Sequence, residues 1–143
     1  MITFFVPGMP VAKGSAKSFY NAKAHKIVTM QDNREKQKPW ASMISYCAQE
    51  AGCKMSLSPI ILSLDFRMPR PKSHYGTGKN AATLKPSAPH LHTSTPDIDK
   101  LIRCTMDALT GIAWKDDRQV AWLHHVSKNY NEIPGVEITI DEA

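Results

Sequence analysis

Apolar positions recur along this chain with two different periods, and the switch between them marks out the elements. Ile2-Thr3-Phe4-Phe5-Val6 reads as a strand, ended by Pro7-Gly8 and then Pro10. Residues 17–30 read as a hairpin turning near residues 21–25. Trp40, Met43, Ile44, Cys47, Ala48 and Ala51 then fall on one face of a helix that Asp32 or Asn33 can cap and Gly52 can end. Pro39 marks either a kink or the first turn of that helix. Residues 59–68 return to period two, with Leu62, Leu64 and Phe66 on the buried face. Residues 69–96 carry almost no apolar pattern and read as a long loop, of the kind that is usually functional or mobile. Ile98, Leu101, Ile102, Thr105, Met106 and Leu109 form a second amphipathic helix, stopped by Gly111. Residues 119–130 and 136–140 read as the last two strands, antiparallel and joined near Pro134-Gly135.

That order of elements predicts an α+β fold. The expectation is one domain over residues 1–143, with a mixed or antiparallel sheet of about four to five strands and two main helices packed on one side. A chain of 143 residues, 42% apolar and 22% charged, has the size and composition of one soluble globular domain. Its longest apolar runs are a few residues, far short of the roughly 18 that a membrane helix needs. The first residues show no secretory pattern. Three cysteines without a CxxC argue against a disulfide framework, so the expected compartment is the cytoplasm.

Charge changes the picture more. Eighteen Lys and Arg against thirteen Asp and Glu give +5, and the excess is concentrated. Residues 12–40 hold Lys13, Lys17, Lys23, Lys26, Arg34, Lys36 and Lys38 against Asp32 and Glu35. Residues 67–103 hold Arg67, Arg70, Lys72, Lys79, Lys85, Lys100 and Arg103 against Asp97 and Asp99. Such stretches fit a polyanionic partner, nucleic acid before membrane; the alternative is a lysine-rich solvated surface.

Within this basic chain, Asp97 and Asp99 open the second helix, and Asp116 and Asp117 follow it. Gly111 turns the chain back, so the two acidic pairs are expected to come together. Crowded carboxylates raise one another's pKa, and a divalent cation relieves that cost. Hard oxygen donors suit Mg²⁺ or Mn²⁺, the ions of phosphodiester chemistry. The competing reading is structural: Asp97 and Asp99 cap a helix, and Asp116-Asp117 form a polar turn.

Three blocks resemble a known signature. They are Pro96-Asp97-Ile98-Asp99-Lys100-Leu101-Ile102-Arg103, then Asp107-Ala108-Leu109-Thr110-Gly111, then Trp114-Lys115-Asp116-Asp117-Arg118-Gln119-Val120. Together they look like the motif of RusA-like Holliday junction resolvases. Pro7-Gly8-Met9-Pro10 with Lys13-Gly14, and Arg67-Met68-Pro69-Arg70-Pro71-Lys72, resemble the flanking motifs in the same order. The resemblance implies a homodimeric, Mg²⁺-dependent endodeoxyribonuclease, with Mn²⁺ able to substitute. It would cut four-way junctions by two symmetric nicks in recombination and repair, and such proteins are often encoded by phages.

By the same resemblance the family's essential aspartates fall on Asp97, Asp99 and Asp117, with Asp116 beside them as a further metal ligand. Its essential lysine falls on Arg103. Arginine keeps the charge but gives up no proton, so a catalytically weak or silent junction-binding protein is one alternative reading. A nuclease for other branched DNA is another. Lys100 stands where the family has asparagine, and it lies on a different helical face from Arg103. Lys128 falls in the following strand, where the family tends to carry a lysine. Lys13, Lys17, Arg70, Lys72, Lys100 and Lys128 are the expected DNA contacts. A DNA partner and a second copy of the chain are expected, and a membrane is not. His90, His92, His124 and His125 have no cysteine near them in sequence, so zinc is not expected; His92 reads as a solvated loop residue, with a substrate contact near the metal as the alternative. Trp40, Trp114 and Trp122 are expected in the core.

Overall fold

The computed structural model describes residues 1–14, 16–31 and 34–143. Eight regular elements follow one another: β1 (Ile2–Pro7), β2 (Ala16–Asn21), β3 (Lys26–Gln31), α1 (Arg34–Glu50), β4 (Ile60–Met68), α2 (Ile98–Leu109), β5 (Val120–Tyr130) and β6 (Gly135–Glu142). Asp32 and Asn33, the expected caps of α1, lie outside the described residues. Four strands form one mixed sheet in the order β1-β6-β4-β5, and β2 and β3 form a separate two-stranded ribbon. With two helices beside a mixed sheet, the α+β expectation holds.

The sheet is two-faced because its strands alternate. Along β4, Ile60, Leu62, Leu64, Phe66 and Met68 are buried, while Ile61, Ser63, Asp65 and Arg67 turn to the other face and are half-buried. β6 does the same with Val136, Ile138 and Ile140, and its antiparallel register sets Leu64 opposite Ile138 and Phe66 opposite Val136. Trp40, Ile44 and Ala48 from α1, and Leu101, Cys104, Ala108 and Leu109 from α2, complete one core against these residues. The far face is polar. Asp65 accepts from Arg67 at 3.0 Å and from Ser127 at 3.1 Å, and Asn129 donates to it as well.

One expected pairing is replaced. β5 and β6 run in opposite directions but are not neighbours: β4 lies between them, antiparallel to β6 and parallel to β5. β6 is instead a central strand, paired with β1 on one side and β4 on the other. Residues 121–125 of β5 are exposed, as suits an edge. The short link from β5 passes the end of β4, where Asn131 donates its N–H to the Met68 carbonyl at 2.9 Å. Trp40 and Trp114 are buried as expected, but Trp122 is 54% exposed because it sits opposite Ile61, on the sheet face turned away from the helices.

The expected loop over residues 69–96 contains two single 3-10 turns, Lys72–His74 and Gly78–Asn80, and a bridge between Tyr75 and Leu84. Its end is anchored. Leu91 pairs with Asn129 on the outer side of β5, through His92 N–H to the Lys128 carbonyl at 3.0 Å and Tyr130 N–H to the His90 carbonyl at 2.9 Å.

Candidate functional site

The same anchoring delivers the first acidic pair. Lys128, near the end of β5, donates from Nζ to the carbonyls of Ser94 and Pro96, each at 2.6 Å. The segment entering α2 is therefore tied to the sheet immediately before Asp97. Asp97 occupies the N-cap position of α2, yet its side chain accepts no capping hydrogen bond. Its carboxylate is 62% exposed and makes a loose ion pair with Lys100 at 3.7 Å. Asp99 lies in the first turn and is exposed. Both acids line a cavity of about 700 Å³ shared with His92, Ser94 and Lys128. The positive end of the helix dipole favours negative charge there.

Asp116 is different. Its carboxylate accepts from the Arg118 N–H at 3.0 Å, and Gln119 completes a reciprocal capping box around the turn Asp117–Gln119. The Gln119 amide ties several chain segments together. Its Oε1 accepts from the N–H groups of Lys115 and Asp116, each at 2.9 Å, and its Nε2 donates to the carbonyls of Ser56 and Ser58 at 2.9 and 3.1 Å. The structural reading describes Asp116, while the carboxylate of Asp117 makes no hydrogen bond or ion pair among the described residues. Asp116 and Asp117 line a second cavity, of about 420 Å³, with Asp107, Thr110 and Lys115.

The expectation that one chain brings the two acidic pairs together is corrected. Asp97 and Asp99 lie at the start of α2, whereas the cavity holding Asp116 and Asp117 is lined by Asp107 and Thr110 at its end. Twelve helical residues span about 18 Å. Among the described residues no group of three or more metal-capable side chains forms. After Gly111 the chain does not run back along α2. Buried Trp114 donates from Nε1 to Thr110 Oγ1 at 3.0 Å and fixes the turn there, and only β5 returns, with Lys128, to the Asp97 end.

The expected basic contacts divide. Arg103 is exposed on α2 and makes no hydrogen bond or ion pair among the described residues; its spacing puts it on the same face as Asp99, one turn away. Lys72 is exposed in its 3-10 turn. Lys13 pairs with Asp107 at 2.8 Å, and its N–H donates to the Lys100 carbonyl at 3.0 Å. Arg70 donates to the Pro89 carbonyl at 2.8 Å and lies over the Tyr130 ring at 5.2 Å. The side chain of Lys17 lies outside the described residues. Lys13, Arg70 and Lys128 thus bind the protein's own segments.

His92 is not the solvated residue expected. Its Nδ1 is buried without a hydrogen-bond partner among the described residues, and its ring packs on Tyr130 at 4.8 Å between centroids. Burial, and then the Lys128 charge, hold its pKa below the ordinary histidine value, against a backbone hydrogen bond that favours the charged form. Sequence reasoning also passed over Asp107 and Gln119. Their signal lay inside the two motif blocks already singled out.

Fold and site together define a class: a small basic α+β domain with exposed carboxylates at both ends of one helix. The family is specific, since the family model "Endodeoxyribonuclease RusA" matches residues 7–141, and the chain belongs to that family. It is also 32% identical over 149 residues to a protein of Bacillus subtilis (strain 168) named as the uncharacterized protein YqaN, covering 99% of this chain and 96% of that one. No helix among the described residues is long and apolar enough to cross a membrane.

Proposed function

We propose that this protein is a Mg²⁺-dependent endodeoxyribonuclease that resolves four-way DNA junctions by paired nicks in the cytoplasm. The observation that carries the reading is the Asp97–Asp99 pair, exposed and free of capping duty at a helix start that Lys128 fixes. This donor set fits a hard cation, because Mg²⁺ is commonly held by one or two carboxylates with water and phosphate oxygens completing its shell. Asp97 and Asp99 would hold it. The ion would supply Lewis-acid stabilisation of the charge that develops on the phosphodiester.

The chain's own residues do the rest. Arg103, one turn from Asp99, would bind a non-bridging phosphate oxygen. Lys128 would keep both acids in place. His92, packed on the Tyr130 ring, would limit water around the pair.

Paired nicks need two sites, and a two-fold homodimer supplies them. The exposed outer edge of β5, residues 121–125, is the surface we assign to the second copy. β5 runs from the Asp117 end of α2 to the Asp97 end. Antiparallel pairing of two such edges would therefore bring Asp117 of one copy toward Asp97 and Asp99 of the other. That arrangement accounts for a third acid that a single chain leaves distant.

The test is cleavage of a synthetic mobile four-way junction with Mg²⁺, beside linear duplex and flap substrates. Paired symmetric nicks by the natural protein, lost in Asp97→Asn while junction binding survives, support the reading. Junction binding without cutting, in Mg²⁺ and Mn²⁺ alike, would favour the junction-holding alternative that Arg103 raises. Cutting confined to flaps would point to other branched DNA.

A further inference from the structure

The β2–β3 ribbon takes no part in the site described above. It is a sheet of its own, and none of its described residues belongs to the core cluster. Six-residue strands extend it by about 20 Å. Its tip is ordered: Asn21 Oδ1 accepts from the N–H groups of Lys23 and Ala24 at 3.0 and 3.2 Å, and His25 takes a left-handed conformation with φ 52°.

Just below the tip, Tyr20 and Ile27 are direct cross-strand partners, so they share one face. They are 62% and 71% exposed. An exposed aromatic–aliphatic pair gains nothing from water. Around it stand Lys23, His25 and Lys26, all exposed, and residues 16–31 contain no acid at all. The ribbon springs from the segment that ends in Lys13 and Gly14, which lines a cavity of about 820 Å³ together with Glu35, Pro96, Asp97 and Lys100. Lys13 N–H is bonded to Lys100 in the first turn of α2, so the ribbon's root is held against the Asp97 end.

We propose that the β2–β3 ribbon is a wedge for the open centre of branched DNA. Tyr20 and Ile27 stack on base faces exposed at the branch, and Lys23, His25 and Lys26 hold the flanking phosphates. Charge complementarity selects DNA as the occupant. The apolar pair selects the branch over the duplex, because a continuous stack offers no free base face. Two-stranded ribbons fit DNA grooves, and apolar side chains at groove-facing tips open base steps. The inference rests on the branched-DNA reading and adds the surface that recognises the branch.

The experiment uses the full chain in EDTA, with a four-way junction carrying 2-aminopurine at the branch and a linear duplex of the same arm sequence. The natural protein is expected to prefer the junction and to change 2-aminopurine fluorescence at the branch. A Tyr20→Ser, Ile27→Ser double variant should lose junction affinity by about tenfold, since stacking of one base on an aromatic ring is worth 1–3 kcal/mol, and should lose the fluorescence change. Its duplex affinity and melting temperature should stay as they were, and Tyr20→Phe should retain the natural behaviour. A double variant that keeps junction preference and signal overturns the wedge, as does one that weakens on duplex and junction alike. A natural protein that cuts the junction without any branch signal sinks the wedge alone. One that gives the branch signal in EDTA but never cuts in Mg²⁺ sinks the nuclease reading and leaves the wedge standing.

Discussion

Lys128 Nζ donates to the Pro96 carbonyl at 2.6 Å, one residue before Asp97. A strand residue thereby sets where a helix-borne acid points, across more than thirty residues of chain. With the Ser94 carbonyl also bound, the lysine is a positioning residue for the site.

Lys128→Met should therefore reduce junction cleavage by at least tenfold while changing junction affinity far less, and raise the Mg²⁺ concentration needed for half-maximal rate. Loss of two charge-assisted hydrogen bonds should cost about 2–3 kcal/mol of stability. Lys128→Arg keeps a donor within reach and should recover part of the rate. A Mg²⁺ titration of cleavage beside urea unfolding checks both; an unchanged Mg²⁺ dependence in the methionine variant would remove the positioning role.

The two adjacent aspartates should respond in opposite ways. Asp116→Ala removes an N-cap and should cost about 1 kcal/mol. Asp117→Asn removes no hydrogen bond among the described residues and should leave stability within about 0.5 kcal/mol, yet abolish cleavage. Urea midpoints and junction cleavage, measured on both variants, separate the structural acid from the chemical one.

Gln119→Leu should destabilise by about 2–3 kcal/mol, because its amide serves two N–H groups and two carbonyls that are left partly buried without it. Equilibrium unfolding measures this directly.

His92 predicts an acid-side loss of stability. Its folded pKa lies below the ordinary 6.5, with burial the first cause. As pH falls below about 6.5 the unfolded chain takes up a proton that the folded one refuses, so stability declines over that range. His92→Gln should flatten this part of the profile. Urea midpoints between pH 7.5 and 5.5 are the measurement.

Cys104 should be the least reactive thiol. Burial first, and then Asp107, push its pKa up to about 11 against the opposing charge of Lys13. At pH 8 a thiol-specific reagent should modify Cys47 and Cys53, which are only half-buried, well before Cys104. Mass spectrometry of a partly labelled sample gives the order.

Much of the fold was legible in local pattern. Alternation in β4 and the 3.6-residue spacing of Leu101, Thr105 and Leu109 report burial on one face, and burial on one face is a property of neighbouring residues along the chain. The hairpin turning near residues 21–25 was legible as well, and in the folded chain Asn21 closes that turn with its own side chain. The acidic pairs stood out in composition alone, and the motif blocks around them carried the family.

Tertiary structure alone decided the rest. Whether β6 pairs with β5 or slips between β1 and β4 depends on which strand gains more burial in the centre, a comparison no single segment contains. The direction in which the chain leaves Gly111 is set by Trp114 in the core, and it places the acidic pairs at opposite ends of α2. Lysines look alike in sequence, yet Lys13 and Lys128 are bound to partners 94 and 34 residues away, while Lys23 and Lys26 are exposed on the ribbon. Hydrophobic periodicity is local and could be read directly; charge pairing and strand order are long-range competitions that only the folded chain settles.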